Sequence, residues 1–600
     1  MRIGVFFCQI DHEKAINLDQ VVKYADNLPG VVYTRAYGVK PKLNAEALSV
    51  LLHDYEFERI VIAGDSPGYY KPVFTKAFAM AGGDPEEVQL ASFRQHGAQG
   101  ADAIERAKAI LACATYAVPY SLAAVPKGGP VHSATLIIGG GIAGIQAALE
   151  IADAGKPVYL IERTGTIGGH MAMFDKTFPT LDCAACILTP KMVAVGQHEM
   201  IHLMTNASVE NVKGLPGSYK VKIRVKARCV DQVSCVSCGI CSEVCPVRVI
   251  SEFDAGISQR KAIYIPFPQA VPNVYMVDVE HCTYIQSDGQ KCGVCVKKCP
   301  KECIDLEEKD LLEEIEVGNI ILATGYDIMD ASIIPQYGYG VFPNVITAIE
   351  FERLTNASGM TGGKIVLKTM DVNKRTGAEE WKFDPKGPSP RNVAIIHCVG
   401  SRNKKYNAYC SRVCCMYSLK FSHLVKEKIP GVNCYEFYID MRAFGKGYEE
   451  FAERIRAEGT FVVRGRSATV SMNNGHLVVR GEDIVQDKTV EFPVDLVILA
   501  VGLIPATGTA ELCTLLGLER DTDGWFSELD YNGNPTDTER GGIFVAGMCQ
   551  GPKDIPDTVA QASAVAAGVL RSITSGKGIG HRSSLMLSEI EARAKSIHTY

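Results

Sequence analysis

The spacing of its cysteines constrains this chain more than any other feature. Cys235-x2-Cys238-x2-Cys241-x3-Cys245-Pro246 is followed by Cys282 and then by Cys292-x2-Cys295-x3-Cys299-Pro300. Three close cysteines wrap one iron–sulfur cubane, and the last cysteine of such a run serves the other cluster of a pair. Crossed ligation follows: Cys235, Cys238, Cys241 and Cys299 for one [4Fe–4S] cluster, Cys282, Cys292, Cys295 and Cys245 for the other. The second run opens with a longer gap, so TYIQSDGQK must loop out beside its cluster. Structural zinc also binds CxxC pairs, but zinc sites need no proline after the last cysteine and rarely interleave two such runs. Cys229 and Cys303 fall outside the pattern and read as packed thiols.

The rest of the composition sets the context. Six hundred residues exceed a single core, so roughly three to five packed units are expected. A net charge of −6 lacks the basic footprint of a nucleic-acid protein. No apolar run reaches membrane-spanning length, since Thr135 to Gly155 is broken by glycines. The N-terminal MRIGVFFCQIDHE holds an apolar run too short for a signal peptide. A cytoplasmic protein is expected, in which 21 cysteines serve metal or redox chemistry rather than disulfides.

Residues 1–125 alternate β-like runs (RIGVFF, GVVYTRAY, RIVIAG) with helical periodicity (NLDQVVKYADNL, AEALSVLLHDY, PVFTKAFAMA), the pattern of an α/β unit. VPKGGPVHS (125–133) reads as a linker. A second α/β unit occupies 130–227, is interrupted by the cysteine-dense insert at 228–305, and resumes over 306–390 and 506–575. It encloses a further α/β unit at 391–505. The charged tail 576–600 reads as peripheral.

The second unit opens with a dinucleotide site. Gly139-x-Gly141-x-Ala143-Gly144 lies between an apolar strand and a helix. The first glycine permits the tight turn, the second lets backbone approach a pyrophosphate, and the third lets helix pack on strand. The next strand ends at Glu162, where a carboxylate would hold ribose hydroxyls, with Arg163 beside it. Gly168-Gly169 resembles the second glycine pair of two-dinucleotide flavoproteins. ILATGYD, with Thr324 and Gly325, and IFVAGMCQGPKD, with Gly547, resemble their later FAD-contacting segments. FAD is therefore expected rather than NAD. The fold class expected is α/β, a thioredoxin-reductase-like two-dinucleotide-domain flavoprotein carrying an inserted two-cluster ferredoxin domain and an N-terminal α/β domain. The enclosed unit departs from that family: NVAII runs into His397-Cys398-Val399-Gly400-Ser401 with no glycine triad, so its NAD(P) site reads as degenerate.

Three patterns stay open on spacing alone. Cys398 ends a strand, while Cys410, Cys414 and Cys415 gather at the start of a helix, with Cys410 and Cys414 one turn apart. A third cluster and a set of reactive or buried thiols stand even there. Cys183-x-x-Cys186 fits a redox dithiol, ligands to a further cluster, or packed thiols equally, with Lys176 or Lys191 available to favour a thiolate. His170 could touch the flavin or pack on the pyrophosphate side. His198-Glu199-Met200-Ile201-His202 fits a zinc pattern, but its second histidine enters a strand, so a chance match is preferred.

GGHMAMFDKTFPTLDCAACILTPKM, the insert, PNVITAIEFERL, HCVGSR, YCSRVCCMYSLK, YIDMRAFGKGYEEF and GPKDIPD together resemble the HdrA family, the iron–sulfur flavoproteins of heterodisulfide reductase, over about residues 130–575. The resemblance implies an electron-transfer component of a larger complex, with heterodisulfide-reductase B/C-like or hydrogenase- or dehydrogenase-linked subunits as partners, ferredoxin as a further acceptor, and a homodimer as an option. It implies that FAD can split electron pairs between two acceptors. It also implies that Cys398, Cys410, Cys414 and Cys415 bind a third [4Fe–4S] cluster, and that Lys420 lies near the flavin N5. Larger members carry another ferredoxin-like domain at the C-terminus, and no cysteine follows Cys549 here, so fewer electron exits are expected. The rival readings are an NAD(P)H-dependent disulfide reductase using Cys183 and Cys186, a plain relay to a quinone- or acyl-CoA-reducing partner, and a scaffold whose clusters only hold the fold.

Overall fold

The structure is a computed structural model, and it describes residues 1–9, 16–96, 98, 103–118, 130–372, 377, 379–530, 533–575 and 590. Most of the expected 125–133 linker and all but one residue of the tail lie outside the described residues.

The first unit is a parallel sheet in the order Val31–Val39, Ile3–Gln9, Arg59–Gly64, Val88–Ser92. Its two central strands, Ile3–Gln9 and Arg59–Gly64, are buried on both faces, as a sheet covered by helices on both sides requires. Val5 and Phe7 pack with Val21 and Ile110 on one side, and Phe6 and Cys8 with Leu48 and Phe74 on the other. The expected strands and helices are present. The strand Val88–Ser92 and helix Ala103–Thr115 are additional.

The second unit draws one five-stranded parallel sheet from three separated stretches of chain, in the order Ile543–Val545, Asn319–Leu322, Thr135–Ile138, Val158–Glu162, Ile201–Thr205. Helices Ile142–Asp153, Ala184–Gln197 and Ile555–Ser575 contribute to the core on one face. A three-stranded antiparallel sheet, Ala207–Leu215, Ser218–Val225 and Leu311–Val317, covers the other. The enclosed unit repeats the plan with Val345–Thr347, Leu496–Val501, Asn392–Val399, Asn433–Tyr438 and Phe461–Arg464, so its edge strand comes from the 306–390 stretch expected in the flavin unit and not from 391–505. Tyr326–Ile328 pairs antiparallel with Leu503–Pro505 and joins the two units. His198 caps the end of a helix while His202 lies in the strand Ile201–Thr205, so the two histidines share no helical face. No described helix is long and apolar enough to cross a membrane.

The insert has little regular structure: two five-residue helices, Ile240–Val244 and Val294–Lys298, and two short antiparallel ladders. It is anchored by polar contacts. Arg228, 4% exposed, donates to the carbonyls of Val274 (3.1 Å) and Gly165 (2.6 Å) and to Thr205 Oγ1 (2.7 Å). Arg353, 1% exposed on helix Ala348–Thr355, reaches Asp254 of the insert (2.9 Å), the Met173 carbonyl (3.1 Å) and Ser358 (3.3 Å). Arg353→Ala leaves Asp254 without this partner and opens a void where three segments meet. A loss of roughly 3 kcal/mol is expected, read as a lowered apparent Tm.

Candidate functional site

The glycine turn lies at the carboxyl end of Thr135–Ile138, where open α/β sheets bind nucleotides. Gly139 has φ +111°, and a Cβ there would lie 2.4 Å from the Ala323 carbonyl oxygen; one at Gly144 would lie 1.9 Å from that of Gly139. Both positions are closed to any side chain. At Gly141, the N-cap of helix Ile142–Asp153, a Cβ meets nothing within 4 Å. Backbone there faces open space, as a phosphate cradle requires.

That space is part of a cavity of about 1060 Å³, large enough for a dinucleotide-sized ligand. Gly139, Gly141, Ala143, Glu162, Arg163, Gly168, Gly169, His170, Thr324, Gly325 and Lys420 all line it. The Glu162 carboxylate accepts from Gly140 N (2.8 Å) and Thr164 N (2.9 Å), which fixes its direction. Thr324 Oγ1 is buried with no hydrogen-bond partner, the state of a group meant for a ligand. An FAD-type ligand fits these residues. Gly144 and Gly547 do not line the cavity. Gly144 lets the helix close on the strand, and a Cβ at Gly547 would lie 2.8 Å from that of Ala143.

Lys420 is 2% exposed on helix Cys414–Lys428. Its amino group donates to the Lys176 carbonyl (2.8 Å) and pairs with Glu352. Glu352, 3% exposed, also accepts from Asp175 N (3.0 Å). Burial raises the Glu352 carboxyl above the usual range, and Lys420 pulls it back. Glu352 lines the cavity and was missed in the sequence. It lies in PNVITAIEFERL, where alternation of charge and apolarity looks like an ordinary amphipathic helix. Tyr326 and Lys553 also line the cavity, as do Arg260, Tyr264 and Met276 of the insert.

The insert brings its cysteines together in two groups. Cys245, Cys282, Cys292 and Cys295 line one small cavity with Pro246. Cys235, Cys238, Cys241 and Cys299 line another with Pro300, and Cys303 joins them, its sulfur 3.5 Å from that of Cys299. Each set draws three cysteines from one run and one from the other. Among the described residues no three His, Cys, Asp or Glu side chains form a site that could hold a metal ion. The thiols surround cavities instead, which suits a cluster. Cys303, read from its position as a packed thiol, is a fifth sulfur at one of them.

The third set is partly assembled. Cys398, Cys414 and Cys415 are all buried and pack in one cluster. Helix Cys414–Lys428 begins at Cys414 itself, so Cys410 precedes it rather than sitting one helical turn away. Arg402 nevertheless lies close enough to feel the charges of both Cys398 and Cys410. Behind the thiols, His397 bonds Glu436 at 3.0 Å, and Ser422 donates to the same carboxylate. Cys183 and Cys186 lie outside the lining and form a disulfide. The lysines proposed beside them are engaged elsewhere, Lys191 with Gln146 (2.8 Å) and Lys176 with Glu427 (3.5 Å).

The glycine turn, the cavity and the orphaned threonine define an FAD-dependent oxidoreductase, and the family model of that description matches residues 135–177. The chain belongs to the HdrA family of heterodisulfide reductase subunits. It is 40% identical to the iron-sulfur A-subunit of the CoB–CoM heterodisulfide reductase of Methanocaldococcus jannaschii, over 96% of this chain and 86% of that one. It is also 40% identical to the A-subunit of the H2:CoB-CoM heterodisulfide,ferredoxin reductase of Methanothermobacter marburgensis, over 94% and 84%. Thioredoxin reductase from Lactococcus lactis matches 74% of this chain and 99% of its own, at 14% identity and a TM-score of 0.40.

Two predictions test the cavity. Gly141→Ala should leave the apoprotein folded but lower its bound flavin about tenfold or more, because its Cβ meets only ligand. Gly144→Ala should lower the Tm of the apoprotein itself, because its Cβ meets backbone. Flavin content and thermal unfolding separate the two. His170 stacks on Tyr326 with ring centroids 4.3 Å apart, and burial pushes its imidazole down to about 4 from 6.5, against the pull of Asp327. The unfolded chain therefore binds this proton first, and stability falls as pH drops from 6.5 towards 4. His170→Gln should flatten that part of the apoprotein's stability profile, measured by denaturant midpoints.

Proposed function

We propose that the chain is the flavin and iron–sulfur electron-transfer component of a heterodisulfide-reductase-type complex in the cytoplasm. It carries electrons between a donor subunit, FAD and partner subunits through three [4Fe–4S] clusters. The observation that carries this reading is a two-residue ladder of the insert, in which Tyr264 pairs with Met276 and Ile263 with Val277. Tyr264 and Met276 line the flavin-type cavity, whereas Ile263 and Val277 line the cavity of Cys245, Cys282, Cys292 and Cys295. Alternate residues of a strand point to opposite faces, so one ladder's thickness separates the two. Tyr275, next along, lines the other four-cysteine cavity.

When bound, FAD supplies the conversion between two-electron and one-electron transfer. Gly139 would set the turn, Gly141, Gly168 and Gly169 would give its phosphates backbone access, Glu162 would offer a ribose acceptor, and Thr324 an unspent hydroxyl. Lys420 brings its ammonium group to the cavity wall, where it is paired with Glu352. Val233 (94% exposed) and Val236 (58%) precede the exposed Cys238 in the chain, an apolar stretch suited to a partner protein. The reading as a self-contained NAD(P)H-dependent disulfide reductase fits less well. Met329 fills the space beside Gly400 at the end of Asn392–Val399, and Cys183 and Cys186 stand outside the cavity lining.

Protein purified anaerobically should contain about one FAD and about twelve irons per chain, as three four-iron clusters require. Cys238→Ser should lower iron by about four, while Cys303→Ser should leave it unchanged. Zinc in place of iron, or no flavin, would sink the proposal.

A further inference from the structure

Cys183 and Cys186 are bridged, and both are exposed. We propose that this pair is a thiol–disulfide exchange site for an external dithiol, and that its redox state is transmitted to the loop that holds Lys420.

The two sulfurs are not equivalent. Cys183 is the N-cap of the 14-residue helix Ala184–Gln197, and its Sγ accepts from the backbone N of Cys186 at 3.2 Å. A thiolate at Cys183 gains that N–H and the positive end of the helix, which lowers the pKa of a cysteine in such a position. The better leaving group is therefore Cys183, and the attacked sulfur is Cys186. One thiolate of the donor bonds to Cys186 Sγ as the Cys183–Cys186 bond breaks, and the electron pair departs on Cys183. The donor's second thiol then attacks the mixed disulfide and frees Cys186. Two electrons and two protons have passed from the dithiol, which ends as a disulfide, to the pair, which ends as two thiols. Ile187, 39% exposed one residue beyond Cys186, gives the donor an apolar contact.

The same loop reaches the flavin-type site, and this part of the inference rests on the function proposed above. Cys183 forms a backbone bridge with Lys176. Thr177 N donates to Asp182 O (2.8 Å), and Ala184 N to Asp175 O (3.1 Å). The Lys176 carbonyl receives Lys420, and Asp175 N is bonded to Glu352. The disulfide thus ties one arm of a hairpin, directly opposite the arm whose Asp175 and Lys176 grip the buried ion pair.

The test uses the full chain, purified anaerobically with its flavin and iron measured first. Cysteine alkylation mapped by mass spectrometry should label neither Cys183 nor Cys186 before treatment and both after dithiothreitol. After dithiothreitol is removed, excess oxidised glutathione should restore protection. Reduction should also raise amide hydrogen exchange across residues 174–184. The single variants Cys183→Ser and Cys186→Ser should keep wild-type iron and flavin and show the raised exchange without reductant. If the pair stays alkylatable after excess oxidised glutathione, there is no couple and the exchange site falls. Loss of iron in either variant would make these residues cluster ligands and also overturn it. Unchanged exchange on reduction would overturn the link to Lys420. Low flavin or iron in the wild type would instead count against the function proposed above, without touching the alkylation result.

Discussion

The buried contact between Lys420 and Glu352 is the interaction on which the site depends. Neither residue is more than 3% exposed, and an unpaired charge at that depth is not sustainable. The lysine comes from the enclosed nucleotide unit, and the carboxylate from the helix that follows the first strand of its sheet. Their remaining bonds go to the backbone of Asp175 and Lys176, in the flavin-type unit. Removing either partner strands the other in low dielectric, a loss of several kcal/mol. The positive charge at the cavity wall therefore exists only when the two units are docked. Its direction is set before any ligand arrives, which is what electrostatic preorganisation requires.

The two nucleotide folds show how one architecture has been used in two ways. In the first, the strand Thr135–Ile138 ends in glycines and the helix behind it starts at Gly141, open to a phosphate. In the second, the strand Asn392–Val399 ends in Cys398 and the helix behind it starts with Cys414 and Cys415. The same crevice at the carboxyl end of the sheet holds backbone and space in one case, thiols in the other. Thiolates at a helix start would gain the same dipole that would have favoured a pyrophosphate. The buried carboxylate of Glu436, held by His397 and Ser422, then supports the thiols from behind.

Much of this was legible in the sequence because the features are local. A glycine turn declares itself within six residues, and cysteine spacing alone suggests two groups of four thiols; those four line each cysteine cavity, with Cys303 added at one. Strands such as RIVIAG, buried at every residue, need no partner to be recognised. What was not legible is long-range. Glu352 reaches its lysine across 68 residues, and nothing in an amphipathic helix marks the one carboxylate that turns inward. Cys303 looked spare because it follows the motif's proline, yet the chain turns it back to within 3.5 Å of Cys299. The lysines suggested for Cys183 and Cys186 were chosen by proximity in the chain. Folding gave them to Gln146 and Glu427, and left the helix end as the stabilising group.

The insert's place within the chain is itself a physical device. A module this poor in secondary structure, appended by one flexible tether, would sample many orientations. Here both ends are fixed to each other: Asp231 N donates to Cys303 O (2.8 Å) and Asp305 N to Cys229 O (3.1 Å). Asp310 at the exit accepts from Ala227 N at the entry (3.1 Å), and Arg228 ties the entry to the sheet beneath. Closing the loop in this way removes conformational freedom before the cysteines are considered. The ladder Ile263–Tyr264 with Met276–Val277 is then held with one face on each cavity, and its thickness becomes a fixed property of the fold. Insertion rather than attachment is what makes the separation between flavin-type cavity and cysteine cavity independent of any partner.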